Sequence, residues 1–214
     1  MPDRPYHHGH LRAALLAAAE RTLRESGAEQ IALRDLARQV GVSHGAPSRH
    51  FRDRQALLDA LAEVGFARLG ADIAAAVDEV RGKARGKVRG AEAGDAGDGA
   101  DGAGEDFGAQ LRAVATSYVR FATEHAALLG LMMSVKQDEG PDTKTYERPY
   151  VLIDELVRRG HASGGLRPGD PERLLLIVLA TFQGIAALVT SRRMPADQVD
   201  AIIADAVALF VRGG

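Results

Sequence analysis

The sequence predicts an all-α protein, and three observations carry that expectation. Apolar residues make up 46% of the 214-residue chain but aromatics only 5%, and the apolar mass is mostly Ala, Leu and Val, which suits helices better than sheets. These residues recur at three- and four-residue spacing, the period of a helix with one buried face, and no strand signal stands against it. Glycines and capping residues separate the apolar runs where helix ends are expected. About nine helices follow from this pattern.

The first begins near the N-terminus. Arg4 and Arg12 precede a short apolar run at residues 13–19, as in a secretory leader. Glu20 and Arg21 close that run, which continues as an amphipathic helix, so no cleavage or export is expected. Leu11, Leu15, Ala19 and Leu23 give this helix its stripe, and Gly27 ends it. Leu33, Leu36, Ala37 and Val40 mark a short second helix that stops at Gly41. Ser43 can cap a third, running to about His50 or Phe51. From Arg54 a long fourth helix carries Leu57, Leu58, Leu61, Phe66, Leu69, Ile73, Val77 and Val80, and is expected to reach residue 81.

The segment 82–106 interrupts the order, because glycine recurs through it and large apolar residues all but vanish. It reads as a solvated linker that cannot bury enough surface to offset its ordering entropy. Its first half is basic and its second acidic, so an extra arm touching phosphates is the alternative. Helices resume with Phe107, Leu111, Val114, Tyr118, Phe121 and Ala122, then at 128–135 and 146–159. Asp170 and Pro171 make a cap and first-turn pair for a long apolar helix. Its core, residues 174–191, is nearly long enough to span a bilayer, but Gln183 and Gly184 lie at its middle. A helix buried between subunits is the preferred reading, and no membrane partner is expected. Pro195 opens the last helix, with Val199, Ile202, Ile203, Ala206, Val207 and Phe210 at helical spacing.

Charge is distributed unevenly. The whole chain carries −2, yet residues 1–54 hold nine arginines against six acids, so a polyanion should meet the N-terminal end. The chain has no cysteine, which removes disulfides and thiolate chemistry and fits a cytoplasmic location. His7, His8 and His10 have spacing a metal could use, but no carboxylate or thiolate stands with them, so no metal site is expected. No nucleophile elbow, phosphate-binding Gly-rich loop or HExxH pattern occurs. Neither an enzyme activity nor a cofactor is predicted.

The third helix is the unusual one. Pro47 sits in its first turns among Gly45, Ala46, Ser48, Arg49 and His50, residues that offer a core little. A helix-turn-helix explains the composition. It needs a small residue inside the second helix, here Ala37, and a glycine at the turn, here Gly41. Val42 and Phe51 can then pin the third helix from its ends. Gly45 and Ala46 would let its backbone approach a major groove, with Ser43, His44, Ser48, Arg49 and His50 as contacts and Arg34, Arg52 and Arg54 near the phosphates.

From His10 to Leu58 the chain resembles the TetR-type transcriptional regulators, through LRDLARQVGVS, the Arg49-His50-Phe51 triplet and the RQALL that follows. The stretch from Tyr118 onward is similar to the C-terminal domain of a TetR subgroup named for a Trp-His-Gly motif, where Phe182-Gln183-Gly184 keeps only the glycine. Ala32 stands where the family usually has Thr or Ser, removing a cap and a phosphate contact. Ser48 replaces an aromatic.

The resemblance implies a DNA-binding domain at 1–54, a connecting helix at 55–81, the linker at 82–106, and a ligand-binding and dimerisation domain at 107–214. It also implies an effector pocket among Tyr118, Phe121, His125, Met132, Met133, Phe182 and Gln183, each of which taken alone can equally be a core residue. The expected protein is a sequence-specific regulator: a homodimer joined by its last two helices, bound to a pseudo-palindromic operator in double-stranded DNA, and released by a small, mostly apolar effector. The alternative is a ligand-binding dimer of the same fold with weakened DNA binding.

Overall fold

The computed structural model describes residues 8–91, 99–134 and 143–211, with side chains from 11–84, 107–134 and 148–211. Eight α-helices and three short 3-10 turns make up these residues. They contain no strand, only an isolated bridge between Leu166 and Val211. The chain forms two compact units, residues up to Phe66 with His125 to Thr143, and residues 67–124 with those from Lys144 onward.

In the first unit α1 (His8–Ser26), α2 (Leu33–Gln39) and the start of α3 (Arg54–Ala91) surround a core of Leu15, Leu23, Ile31, Leu36, Ala37, Phe51, Leu57 and Leu61. Both helix stops expected from glycine are present, with Gly27 at φ 84° and Gly41 at φ 75°. At Gly41 the turn is a complete Schellman motif. Its N–H donates to the Arg38 carbonyl at 3.2 Å and Val42 N–H to the Ala37 carbonyl at 2.9 Å, which only a left-handed residue at this point allows. The same unit contains α5 (Ala126–Ser134), whose Met132 and Leu128 fill the space where a side chain on Gly65 would stand, 2.6 Å from Met132 Sδ and 3.2 Å from Leu128 Cγ.

The second unit comprises the rest of α3 with α4 (Gly99–Glu124), α6 (Thr143–Ala162), α7 (Pro171–Thr190) and α8 (Val199–Ala208). Phe107, Leu111, Val114, Phe121, Ile153, Leu156, Val178, Phe182 and Ile203 form its core. Asp170 caps α7 as expected, its carboxylate accepting the Glu172 N–H at 3.0 Å, with Pro171 in the first turn. α7 is long and apolar enough to cross a membrane by length and composition. Val178, Phe182, Ile185 and Ala186 are buried within the unit, whereas Leu176, Ile177 and Leu188 are exposed.

Three boundaries differ from the sequence expectation. The fourth predicted helix does not stop at residue 81, because α3 continues to Ala91, and α4 already begins at Gly99. Alanine, lysine and arginine alternate with the glycines of this stretch, and extending an existing helix avoids the cost of nucleation. The remainder of the predicted linker, 92–98, lies outside the described residues. Pro195 opens not an α-helix but a 3-10 turn at Ala196–Gln198, and α8 follows it. The predicted third helix also takes another form, described next.

Candidate nucleic-acid interface

The segment after Gly41 is a compact turn containing one 3-10 helix, Pro47–Arg49, rather than a two-turn α-helix capped by Ser43. Pro47 has no N–H to offer the Ser43 carbonyl. That carbonyl instead accepts the Ala46 N–H at 3.0 Å, and Arg49 N–H goes to Ala46 at 3.3 Å, both i to i−3 bonds. The segment is too short to recover the cost of a helical nucleus by itself.

Pro47 also has a role the sequence did not reveal. It is buried, with Phe51 at 2% exposure behind it, and its carbonyl accepts the N–H groups of both His50 and Phe51 at 2.9 Å. The turn is therefore anchored by Pro47 and Phe51, with Val42 only half-buried. Arg12 lies over the Phe51 ring, 5.5 Å from its centroid, a cation–π contact that ties α1 to the same anchor.

Ser43, His44, Gly45, Ser48 and Arg49 are exposed, while Ala46 and His50 are half-buried. The Ser48 hydroxyl donates to the Gly45 carbonyl at 2.7 Å, which spends its proton inside the turn. Arg34 and Arg52 are outward, 81% and 82% exposed, with loose ion pairs to neighbouring aspartates. Arg38, which the sequence reading passed over, is similarly exposed at 76%. Its position on the outer face of α2, one turn beyond Arg34, was the available signal.

Arg54 is not among these outward cations. Its Nε donates to the Ile31 carbonyl at 3.0 Å and its Nη2 to the Ala28 carbonyl at 2.7 Å, so it ties the start of α3 to the loop before α2. Ala32 is the N-cap of α2 and provides no side-chain bond. Asp53 caps α3, accepting the Ala56 N–H at 2.7 Å.

The expected effector-pocket residues divide between the two units. His125, Met132 and Met133 belong to the first unit, Tyr118, Phe121, Phe182 and Gln183 to the second. Met132 is packed on Gly65, and Met133 is 45% exposed. Gln183 is on the exposed face of α7. Tyr118, Phe121 and Phe182 are buried. Burial, aided by the nearby Tyr150 hydroxyl, pushes the Tyr118 phenol up to about 12, and burial also raises Tyr150. On α6, one turn after Tyr150, Asp154 has Oδ2 paired to Arg158 Nε at 2.8 Å and a buried Oδ1 with no partner. Sequence periodicity could not single out Tyr150 or Asp154. No group of three or more potential metal-binding residues occurs among the described residues; the side chains of His7, His8 and His10 lie outside them.

Comparison with known proteins identifies the family. Residues 15–61 match the family described as bacterial regulatory proteins, tetR family, and residues 111–210 match the tetracyclin repressor-like C-terminal domain. A protein of unknown function from Rhodococcus sp. RHA1 has 39% identity to the chain, with 96% of each chain covered and a TM-score of 0.75. A bacterial regulatory protein of the tetR family from Rhodococcus RHA1 shares the fold at 17% identity, with 93% of this chain and 96% of the other covered and a TM-score of 0.64. SmeT, the repressor of the Stenotrophomonas maltophilia multidrug efflux pump SmeDEF, shares it at 18% identity, 95% and 91% coverage and a TM-score of 0.62. A SmeT-triclosan complex gives 18% identity, 96% and 93% coverage and 0.64. No protein of curated function matches the chain.

Proposed function

Since the chain belongs to the TetR family of bacterial regulatory proteins, DNA-binding transcriptional regulators, we propose that it is a cytoplasmic homodimeric repressor released from its operator by a small, mostly apolar effector. One observation carries the reading. Pro47 and Phe51 hold a turn whose His44, Gly45, Ser48 and Arg49 are exposed beside the outward arginines Arg34, Arg38 and Arg52. His44 and the outward arginines are donors suited to base edges and phosphates, and Gly45 leaves the backbone free to come close.

So short a reading element makes few base contacts, and two copies on a pseudo-palindrome supply the rest of the specificity. The exposed stripe of α7 supports pairing: Leu176, Ile177, Ala180, Gln183, Gly184, Ala187 and Leu188 lie along it, joined by Ile202 of α8 and by Leu209 just after it. Large apolar residues stand at its ends and small ones at its middle, where a second helix can approach closely. The effector would bind in the second unit near Tyr118, Phe121 and Phe182 and favour one of two arrangements of the dimer. A difference of a few kcal/mol in its affinity for them is enough to empty an operator.

The family fold with weakened DNA binding is favoured by two details, the uncapped Ala32 and the inward-turned Ser48 hydroxyl. A fluorescence-anisotropy titration against the upstream intergenic DNA, with scrambled competitor at two salt concentrations, separates the readings. The regulator binds tightly, resists competitor and has a steep salt slope, and an Arg49→Ala, His50→Ala pair loses specific binding while remaining dimeric. Binding equal to scrambled DNA, with no preferred site in a genome-wide selection, would establish the weakened form.

A further inference from the structure

A groove of about 370 Å³ lies along the second unit between two helical stripes, residues 76–83 of α3 and 109–120 of α4. None of the residues expected to contact an effector lines it. Its register is held by Arg81, whose Nε donates to the buried Gln110 Oε1 at 3.2 Å. Ala76, Val80, Ala109 and Ala113 give it an apolar floor, and the exposed Lys83, Arg112, Arg120 and Glu79 stand around it. Lys83 and Glu79 neutralise each other in an ion pair of 2.7 Å, which leaves two guanidinium groups uncompensated within the lining.

Ser117 completes the lining from its buried side. It is 2% exposed, and its hydroxyl oxygen is buried with no hydrogen-bond partner among the described residues. An orphan hydroxyl of this kind costs free energy until an acceptor reaches it. The two arginines would hold one charged oxygen-bearing group, and the alanine and valine floor has no use for a fully polar ligand.

We propose that this groove is a binding site for a small amphipathic carboxylate, its charged head between Arg112 and Arg120 with one oxygen accepting the Ser117 hydroxyl, and its short hydrocarbon body on the Val80 and Ala113 floor. A ligand seated there bridges α3 to α4. The site is independent of the DNA-reading surface, and its test needs no DNA.

The probe is octanoate, titrated calorimetrically into the full-length protein, with 1-octanol and inorganic phosphate as comparisons. Octanoate should bind at least about tenfold more tightly than either, since a charge-assisted pair adds about that factor and phosphate cannot use the floor. An Arg112→Glu, Arg120→Glu double variant alters exposed positions only and should weaken octanoate at least about tenfold with an unchanged circular-dichroism melt. Ser117→Ala should weaken it several-fold while leaving the unliganded protein as stable or more so, because an unsatisfied group has been removed. Several outcomes overturn the proposal: no octanoate binding, equal affinity for octanol or for phosphate, or octanoate affinity indifferent to both the charge reversal and Ser117→Ala.

Discussion

The Arg54 guanidinium stands 2.7 Å from the Ala28 carbonyl oxygen, so the first residue of α3 holds the loop that joins α1 to α2. Its second bond goes to the Ile31 carbonyl, while the Ala28 carbonyl also accepts the Ile31 N–H at 3.0 Å, so Arg54 and the short 3-10 turn share this loop's acceptors. Arg54→Ala is expected to lower the unfolding free energy by about 2–3 kcal/mol, the cost of losing partly buried bonds to a charged donor. Arg52→Ala, at an outward position, should leave stability within about 0.5 kcal/mol and reduce the salt slope of DNA binding by about 1. Urea unfolding and anisotropy on both variants check the division of labour.

At the start of α2, Ala32 has the extended backbone of an N-cap, φ −131° and ψ 132°, without the oxygen that would use it. Ala32→Thr should add about 1 kcal/mol by accepting an N–H of the first turn, and raise the melting temperature by about 2–4 °C. Differential scanning calorimetry reads the change directly.

Gly41 and Arg192 hold corresponding places in two helix-ending motifs, both in the left-handed region, at φ 75° and 57°. After α7 the bonds from Arg192 to Val189 and from Arg193 to Leu188, each 2.9 Å, repeat the pattern seen after α2. Substitutions should therefore have opposite signs. Arg192→Gly relieves a Cβ clash and stabilises by roughly 1 kcal/mol, whereas Gly41→Ala introduces one and costs roughly the same. Paired thermal melts test this, and a Cβ added at Gly41 would meet nothing within 4 Å beyond its chain neighbours, so backbone strain alone decides its side.

Tyr118 links stability to alkaline pH. Its phenol is raised from 10.0 to about 12 in the folded chain, so the unfolded chain loses this proton first as pH rises. The contribution is fully present below pH 10 and disappears as pH climbs toward about 12. Urea midpoints taken between pH 9 and 11.5 should fall more steeply for the wild type than for Tyr118→Phe, and phenolate absorbance should develop late in the native protein.

Much of this architecture was readable from periodicity and punctuation. Leu15, Leu23, Leu36 and Leu61 are buried where the stripes put them, and Gly27, Gly41, Asp170 and Pro171 end or begin helices as their chemistry requires. These are local rules, each satisfied within a few residues. Some departures are local too, as where Pro47 lacks an N–H and α3 runs on to Ala91; others depend on contacts distant in sequence. Arg54 finds carbonyls 23 and 26 residues away. Met132 is claimed by Gly65, and Gln183 has the same residue type on a buried or an exposed face of α7. Pro47 was legible as a first-turn residue of a helix but not as an anchor, because burial is a property of what packs around it.

The division of the turn after Gly41 between buried and outward residues has an evolutionary consequence. Pro47 and Phe51 hold the backbone, while His44, Ser48 and Arg49 contribute little to the core. Mutations at the outward positions therefore carry little folding penalty, and on the proposed reading a lineage could change its target vocabulary one side chain at a time while the buried scaffold remains intact.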